Sequence, residues 1–456
     1  MNEFIRYYFL GIGGIGMSAI ARYFNVRGFQ VAGYDRTETK LTADLQSEGI
    51  FITFEDAESN IPDQFLNQGN TLVVVTPAIP ADHPQLVYFQ NNKFAIKKRA
   101  EVLGDITRQS KGICIAGTHG KTTTSTIAAH LLYQSRISCN AFLGGISNNY
   151  NTNLLLSKES SLVVIEADEY DRSFHHLSPY MAVITSTDAD HLDVYENKEA
   201  FCESFEHFTS LIRPGGALVM RKGIAITPRL QKGVKLFTYS MDEGGDFHAE
   251  NIRCKNGNIL FDFVTPTDRI SDVRLGVPVM INVENSVAAM AMAWLNGVTS
   301  EELRVGISSY SGIYRRFNIV YKNEKVVYMD DYAHHPSELA ASIRSIRTLF
   351  PERKITGIFQ PHLYSRTRDF APDFARSLSQ LDELILLDIY PAREQPIPGV
   401  TSELIFRDVT LRDKTLCTKQ ELLHLLKQKD VDVLVTFGAG DIDKLVPQIR
   451  EQLKNG

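Results

Sequence analysis

The chain has 456 residues, about three times the length of an ordinary single domain, so it has room for two or three separate cores. With 48 basic and 54 acidic residues, a net charge of -6 and 43% hydrophobic residues, it has globular composition and no excess of positive charge to hold nucleic acid or an anionic membrane surface. Its five cysteines (Cys114, Cys139, Cys202, Cys254, Cys417) are scattered and unpaired in spacing, which argues against a disulfide framework and a zinc site.

From the N-terminus, 5–10 (IRYYFL) reads as a strand rather than a signal peptide, and no later stretch is long and apolar enough to span a bilayer, so the cytoplasm is expected. Strands follow at 30–34 and 71–76, separated by helix-length segments. The texture changes over 77–104, where prolines stand at 77, 80 and 84. A second α/β run starts at 112–116 (GICIA) and continues through 162–166, 181–185 and 217–220. It turns β-rich over about 235–275, with a turn at Lys255–Asn258, before a helix at 283–295 whose Met290 and Met292 read as core. After Tyr314 a third run places strands near 325–329, 354–359, 383–388 and 432–437. The expected architecture is α/β in three domains, 1–105, 106–313 and 314–456, each with a mostly parallel sheet. The first and third are Rossmann-like, and the central one is of P-loop ATPase type with a small β portion.

Two loops carry phosphate chemistry. Gly11-Ile-Gly13-Gly14-Ile-Gly16 follows the first strand and opens a helix, and Asp35 ends the next strand. That spacing lets backbone approach a pyrophosphate at a helix N-terminus, with the acid near a ribose. Alone it fits an NAD-dependent oxidoreductase, or a tight turn that only packs helix on strand. Gly117-Thr118-His119-Gly120-Lys121-Thr122-Thr123 follows GICIA and opens STIAAHLLY, the strand–loop–helix context of a shortened P-loop. Lys121 is expected at a solvent-facing phosphate site, so that removing it would stop turnover and leave the fold intact. Hydride transfer has no use for a second phosphate loop, whereas an ATP-driven ligase acting on a nucleotide-linked substrate uses both. Glu166 ends the strand LVVIE, with Asp168 and Glu169 just after it, and Asp188-Ala-Asp190-His191-Leu-Asp193 follows MAVIT. Carboxylates and a His without thiols, beside a P-loop, suit Mg²⁺ more than zinc.

Assembled, these motifs resemble the Mur ligases, whose central ATPase domain is shared with folylpolyglutamate synthetase. The resemblance runs from residue 5 to about 440. It implies ATP and Mg²⁺ as cofactors, with Thr122, Glu166 and His191 as metal ligands and Asn282 and Asn285 on the adenine side; Ile281 stands where the family carries a His. Arg315-Arg316-Phe317 and Asp330-Asp331-Tyr332-Ala-His334-His335-Pro336 match segments that open the third domain, and Asp331 is counted with the ATP site. Lys198 lies too close to His191 for the family's carbamylated lysine, so no carbamate is expected. GIGGIGMS, Gln360-Pro-His362-Leu-Tyr-Ser-Arg366-Thr-Arg368 and Tyr390–Pro398 look like the L-alanine-adding branch. The implied substrates are UDP-N-acetylmuramic acid at the first loop and L-alanine in the third domain. There Arg366 would grip the amino acid's carboxylate and His335 or His362 would take its proton, while Lys121 with Arg315 or Arg316 would neutralise the transferring phosphoryl group. Sites spread over three domains imply closure before chemistry. A non-enzymatic reading, an ATP-driven switch, leaves the His- and Arg-rich third domain without a purpose. His175-His176 reads as surface, and Gly438-Ala-Gly440-Asp441 as a packing turn.

Overall fold

A computed structural model describes residues 4–188, 195, 197–242, 244–255, 258–392 and 394–454. The architecture is α/β, built on three sheets. The first sheet has the strand order Phe51–Thr53, Gln30–Tyr34, Arg6–Leu10, Thr71–Val75, Ala95–Lys98, all parallel. Parallel strands are covered on both faces, which is why RYYFL and TLVVV are nearly continuous apolar runs. Tyr7 and Phe24 stack inside this layer with ring centroids 3.7 Å apart. The proline-rich stretch after residue 76 does not leave the sheet. His83 and Pro84 start the helix Pro84–Asn91, and Ala95–Lys98 adds the fifth strand.

The second sheet has ten strands, with Lys111–Ala116 between Pro179–Ile184 and Leu162–Glu166. The β-rich stretch supplies Lys235–Ser240, Phe247–Lys255, Asn258–Val264 and Arg269–Arg274. Helix Met280–Leu295 carries Met290 and Met292, both fully buried as expected. The third sheet runs Asn318–Lys322, Val327–Asp331, Val433–Phe437, Ile355–Phe359, Glu383–Leu386, Lys414–Leu416, parallel except for its first strand. Two compact units result: residues 1–252, 261–274 and 283–310 form one, and 253–260, 275–282 and 311–456 the other. No helix among the described residues is long and apolar enough to cross a membrane.

Two histidines of the first unit are structural. His175 is half-buried rather than on the surface: its Nε2 lies 3.0 Å from both Ser204 Oγ and Ser204 O, and its ring stacks on Phe174. His176 is exposed as expected. His130, on helix Lys121–Tyr133, is buried between Tyr150 Oη (2.8 Å) and Ser309 Oγ (3.0 Å). Burial pushes it down to about 4. Both hydroxyls can donate or accept, so the neutral imidazole is satisfied without the charge that burial penalises. The unfolded chain takes up this proton near pH 6.5 and the folded chain only near 4. The stabilisation is therefore complete above pH 6.5 and lost as pH falls toward 4, about 3 kcal/mol in all. Denaturant titrations at pH 7.5 and 5 should show this loss, and His130→Gln should flatten it; an equal pH dependence in the variant would contradict it.

Candidate active site

Both phosphate loops follow strands lying where strand order reverses, the position at which open α/β sheets bind ligands. In the first, Gly11 N and Ile12 N donate to Tyr34 O (2.8 and 3.0 Å). Gly11 has φ +86°, and a Cβ there would lie 2.6 Å from Thr76 Cγ2, so the turn tolerates only glycine. Gly14 is the N-cap of helix Ile15–Val26, with no side chain capping the first-turn amides. Asp35 is engaged with the loop itself. Its Oδ2 accepts from Gly13 N (2.7 Å) and its Oδ1 from Thr37 N (3.2 Å), so it braces the loop first, rather than reaching out as a free acceptor. A Cβ on Gly16 would lie 3.0 Å from Arg99 Nη1. Arg99, not anticipated from sequence, thus stands over the loop and pairs through Nη2 with Asp168 Oδ2 (3.3 Å).

The second loop joins Lys111–Ala116 to helix Lys121–Tyr133. Gly117 has φ +134°, and a Cβ there would lie 2.1 Å from Thr185 Oγ1. Gly120 has φ +81° and caps the helix, again without a side-chain cap or an acid in the first turn, so the amides of Lys121, Thr122 and Thr123 begin a helix suited to an anion. Thr118 Oγ1 donates to Asp188 O (2.8 Å), and His119 is exposed with Nε2 3.8 Å from Asp188 Oδ2. On helix Met280–Leu295, Asn285 Oδ1 lies 3.3 Å from Thr124 Oγ1 and 2.7 Å from where a Gly120 Cβ would stand. Asn282 Nδ2 donates to Val277 O (3.3 Å).

Lys121 is not solvent-facing. Its side chain is 14% exposed, and Nζ donates to Gly117 O (2.7 Å) and to Glu169 Oε1 (2.8 Å). Glu169 is almost fully buried, and its other oxygen, Oε2, has no partner among the described residues. Burial raises its carboxyl above the usual range, and Lys121 offsets part of that.

Glu166 closes its strand and takes a hydrogen bond from Thr122 Oγ1 at 3.1 Å. Glu166 Oε2 is buried without a partner among the described residues. The space around it exists because position 144 is glycine: a Cβ there would lie 1.9 Å from Oε2. A buried carboxylate oxygen with an open side, next to a Thr hydroxyl, is a donor set that fits a hard cation. His191, Asp190 and Asp193 lie outside the described residues. Glu166, Gly144, Arg99 and Asp168 share with Gly14 and Gly16 a cavity of about 290 Å³, so the first loop and the strand end bearing Glu166, itself bonded to Thr122 of the second loop, meet at one space inside one compact unit.

In the C-terminal unit, the two adjacent arginines separate. Arg315, with φ +61°, is buried; it donates to Gly438 O and to Gly440 O (3.2 Å) and lies 3.6 Å from Asp330 and 3.5 Å from Asp443. It holds the unit together, whereas Arg316 is exposed. The turn Gly438–Asp441 is accordingly more than packing, since it also binds Gln360 Nε2 through Asp441 Oδ1 (2.9 Å). Asp331 accepts from Ser342 and has its carboxyl raised by burial.

His335 sits at a helix start. It precedes helix Pro336–Leu349 as its N-cap, its Nδ1 contacts Ser337 Oγ (2.8 Å), and its ring packs 5.1 Å from Phe370. Its neighbour His334 is the one whose ring lies 6.0 Å from His362. Burial, Arg366 and His335 lower the His334 pKa, with Glu338 opposing, so the ring is neutral at pH 7. Arg366 is half-buried in the first turn of helix Tyr364–Leu378, and its Nη1 is buried without a partner among the described residues. His362 stacks on Tyr390.

An α/β fold with two βα loops built to hold phosphate, one opening on a cavity that reaches Glu166 beside the other, defines a nucleotide-using class of protein. Family models match the chain almost end to end: Mur ligase family, catalytic domain, over residues 6–111; Mur ligase middle domain over 115–293; and Mur ligase, glutamate ligase domain, over 315–440. The chain belongs to the Mur ligase family. It is 59% identical over 450 residues, 98% of each chain, to the UDP-N-acetylmuramate–L-alanine ligase of Phocaeicola vulgatus. It is 57% identical to that of Porphyromonas gingivalis, over 98% of this chain and 99% of the relative. Among solved structures it resembles the UDP-N-acetylmuramate-alanine ligase of Thermotoga maritima, with a TM-score of 0.83, 27% identity and 99% of each chain covered.

Proposed function

We propose that this protein joins L-alanine to the lactyl carboxylate of UDP-N-acetylmuramic acid at the expense of ATP, a step in peptidoglycan precursor synthesis. The observation that carries this reading is the cavity shared by the first glycine loop and the strand end bearing Glu166, one wall suited to a sugar nucleotide and the other beside the P-loop. We assign 1–105 to the nucleotide sugar, 106–313 to ATP and 314–456 to the amino acid. ATP and UDP-sugars are metabolites of the cytoplasm, where we place the reaction; the described cysteines are all free, as a reducing compartment requires.

A carboxylate oxygen is a poor leaving group. One lactyl oxygen attacks the γ-phosphorus, the bond to the β-γ bridging oxygen breaks, and ADP leaves behind an acyl phosphate. The neutral amine of alanine then attacks the carbonyl carbon, phosphate departs with its bond to that carbon broken, and the amine's surplus proton passes to a base. Gly117–Thr123 holds the ATP phosphates through amides, with Lys121 exchanging its carbonyl and Glu169 contacts for phosphate oxygens, and Asn282 and Asn285 on the adenine side. Thr122 and Glu166, with His191, would hold Mg²⁺, which when bound neutralises phosphate charge. Arg99 stands over the first loop where it neutralises the sugar nucleotide's charge. Arg316 is the arginine of its pair left for phosphate. His334, neutral and beside His362 and Arg366, joins His362 as the candidate base for alanine's proton.

Arg366 grips the alanine carboxylate with the planar fork that a lysine lacks. Arg366→Lys should raise the KM for alanine by about one to two orders of magnitude, on the scale of a charge-assisted hydrogen bond, and leave those for ATP and UDP-sugar nearly unchanged. Steady-state kinetics with each substrate varied in turn decides it; an unchanged alanine KM beside a raised ATP KM moves Arg366 to the phosphate site. Mass analysis of the product tests the reaction itself: the muramic acid must gain one alanyl residue through an amide.

A further inference from the structure

His83 is the N-cap of helix Pro84–Asn91 and is only 6% exposed, yet neither ring nitrogen has a hydrogen-bond partner among the described residues. Its ring centroid lies 4.6 Å from that of Tyr34, and both line a cavity of about 790 Å³ that extends to Gly11, Gly13 and Gly14. Burial lowers the His83 pKa, so the ring is neutral at pH 7, with one donor and one acceptor. Buried polar atoms without partners destabilise a protein, and each calls for something that completes it, such as a bound ligand or water.

We propose that His83 hydrogen-bonds the pyrimidine base of the nucleotide sugar. This rests on reading Gly11–Gly16 as the nucleotide-sugar loop. The cavity has two unlike ends. The glycine amides and the start of helix Ile15–Val26 attract phosphate, whereas Asp35, Glu55 and Asp56 on the cavity wall repel it. The uncharged nucleoside therefore lies toward the carboxylates and His83. A uracil edge carries an N–H between two carbonyls, a match for an imidazole with one donor and one acceptor, and the Tyr34 ring beside it suits a flat base.

The same geometry sets two opposite effects for one substitution. His83→Leu removes both orphaned nitrogens, so the free full-length protein should melt no lower than wild type and by the burial argument higher. Its affinity for UDP should fall about ten- to a hundredfold, the scale of a lost buried hydrogen bond. Inorganic pyrophosphate, which has no base, should bind wild type and variant alike by calorimetry, and His83→Asn, which keeps a donor and an acceptor, should recover part of the UDP affinity. Equal UDP affinity in wild type and His83→Leu overturns the role of His83. So does a parallel loss of UDP and pyrophosphate, which signals a collapsed loop. Failure of wild type itself to bind UDP, with ATP still bound, overturns the nucleotide-sugar reading on which the proposal stands.

Discussion

Lys121→Ala is expected both to abolish ligation and to destabilise the fold. The first effect follows from its place at the start of a phosphate-binding helix. The second follows from Glu169, whose buried carboxylate takes its hydrogen bond from Lys121 Nζ at 2.8 Å and whose pKa is already raised by burial. Removing one member of a buried pair leaves the other without compensation, at a cost of about 3 kcal/mol. Adding Glu169→Gln should recover most of that stability and none of the activity, because the neutral amide needs no counter-charge while the phosphate site still lacks its lysine. Denaturant midpoints and turnover, measured on both variants, separate the two effects. Activity of the single variant within tenfold of wild type contradicts the ATP-site assignment, and an unshifted midpoint contradicts the structural role of the pair.

Gly144→Ala is expected to do the reverse, sparing the fold and damaging the chemistry. The new Cβ would stand 1.9 Å from Glu166 Oε2 and 2.9 Å from Glu166 Cδ. The end of a glutamate side chain yields more readily than strand backbone, so the carboxylate swings aside and the sheet survives. A displacement of about 1 Å at a catalytic group costs on the order of a hundredfold in rate. kcat/KM should fall by about that factor with a raised Mg²⁺ requirement, and Glu166→Gln should show the same requirement, since it weakens the same donor. Wild-type rates and Mg²⁺ dependence in both variants would put the cation elsewhere.

Much of this molecule is legible in its sequence, because the features that matter are local. Runs such as TLVVV declare strands buried on both faces, and the glycines of both loops announce turns that a Cβ would obstruct. What sequence cannot supply is the pairing of distant residues. Lys121 reads as solvent-facing because nothing near it in the chain reveals Glu169, 48 positions on. Arg99 is unremarkable until Asp168 and Gly16 are found around it, and Gly144 until Glu166 is found against it. Adjacent like residues are a second blind spot. Arg315 and Arg316 are equivalent on paper, but backbone at φ +61° turns Arg315 inward to the Gly438 and Gly440 carbonyls. His334 and His335 divide similarly, because helix Pro336–Leu349 begins directly after His335 and takes it as its N-cap.

The most direct test of the proposed chemistry is phosphate release from ATP by the full-length protein, with UDP-N-acetylmuramic acid and L-alanine supplied singly and together. Sustained release is expected only with both present, one phosphate for each amide formed, because the acyl phosphate turns over only when an amine consumes it. Sustained release that ignores either substrate, or release matched by no amide product, would contradict the assignment of this chain as an alanine-adding ligase.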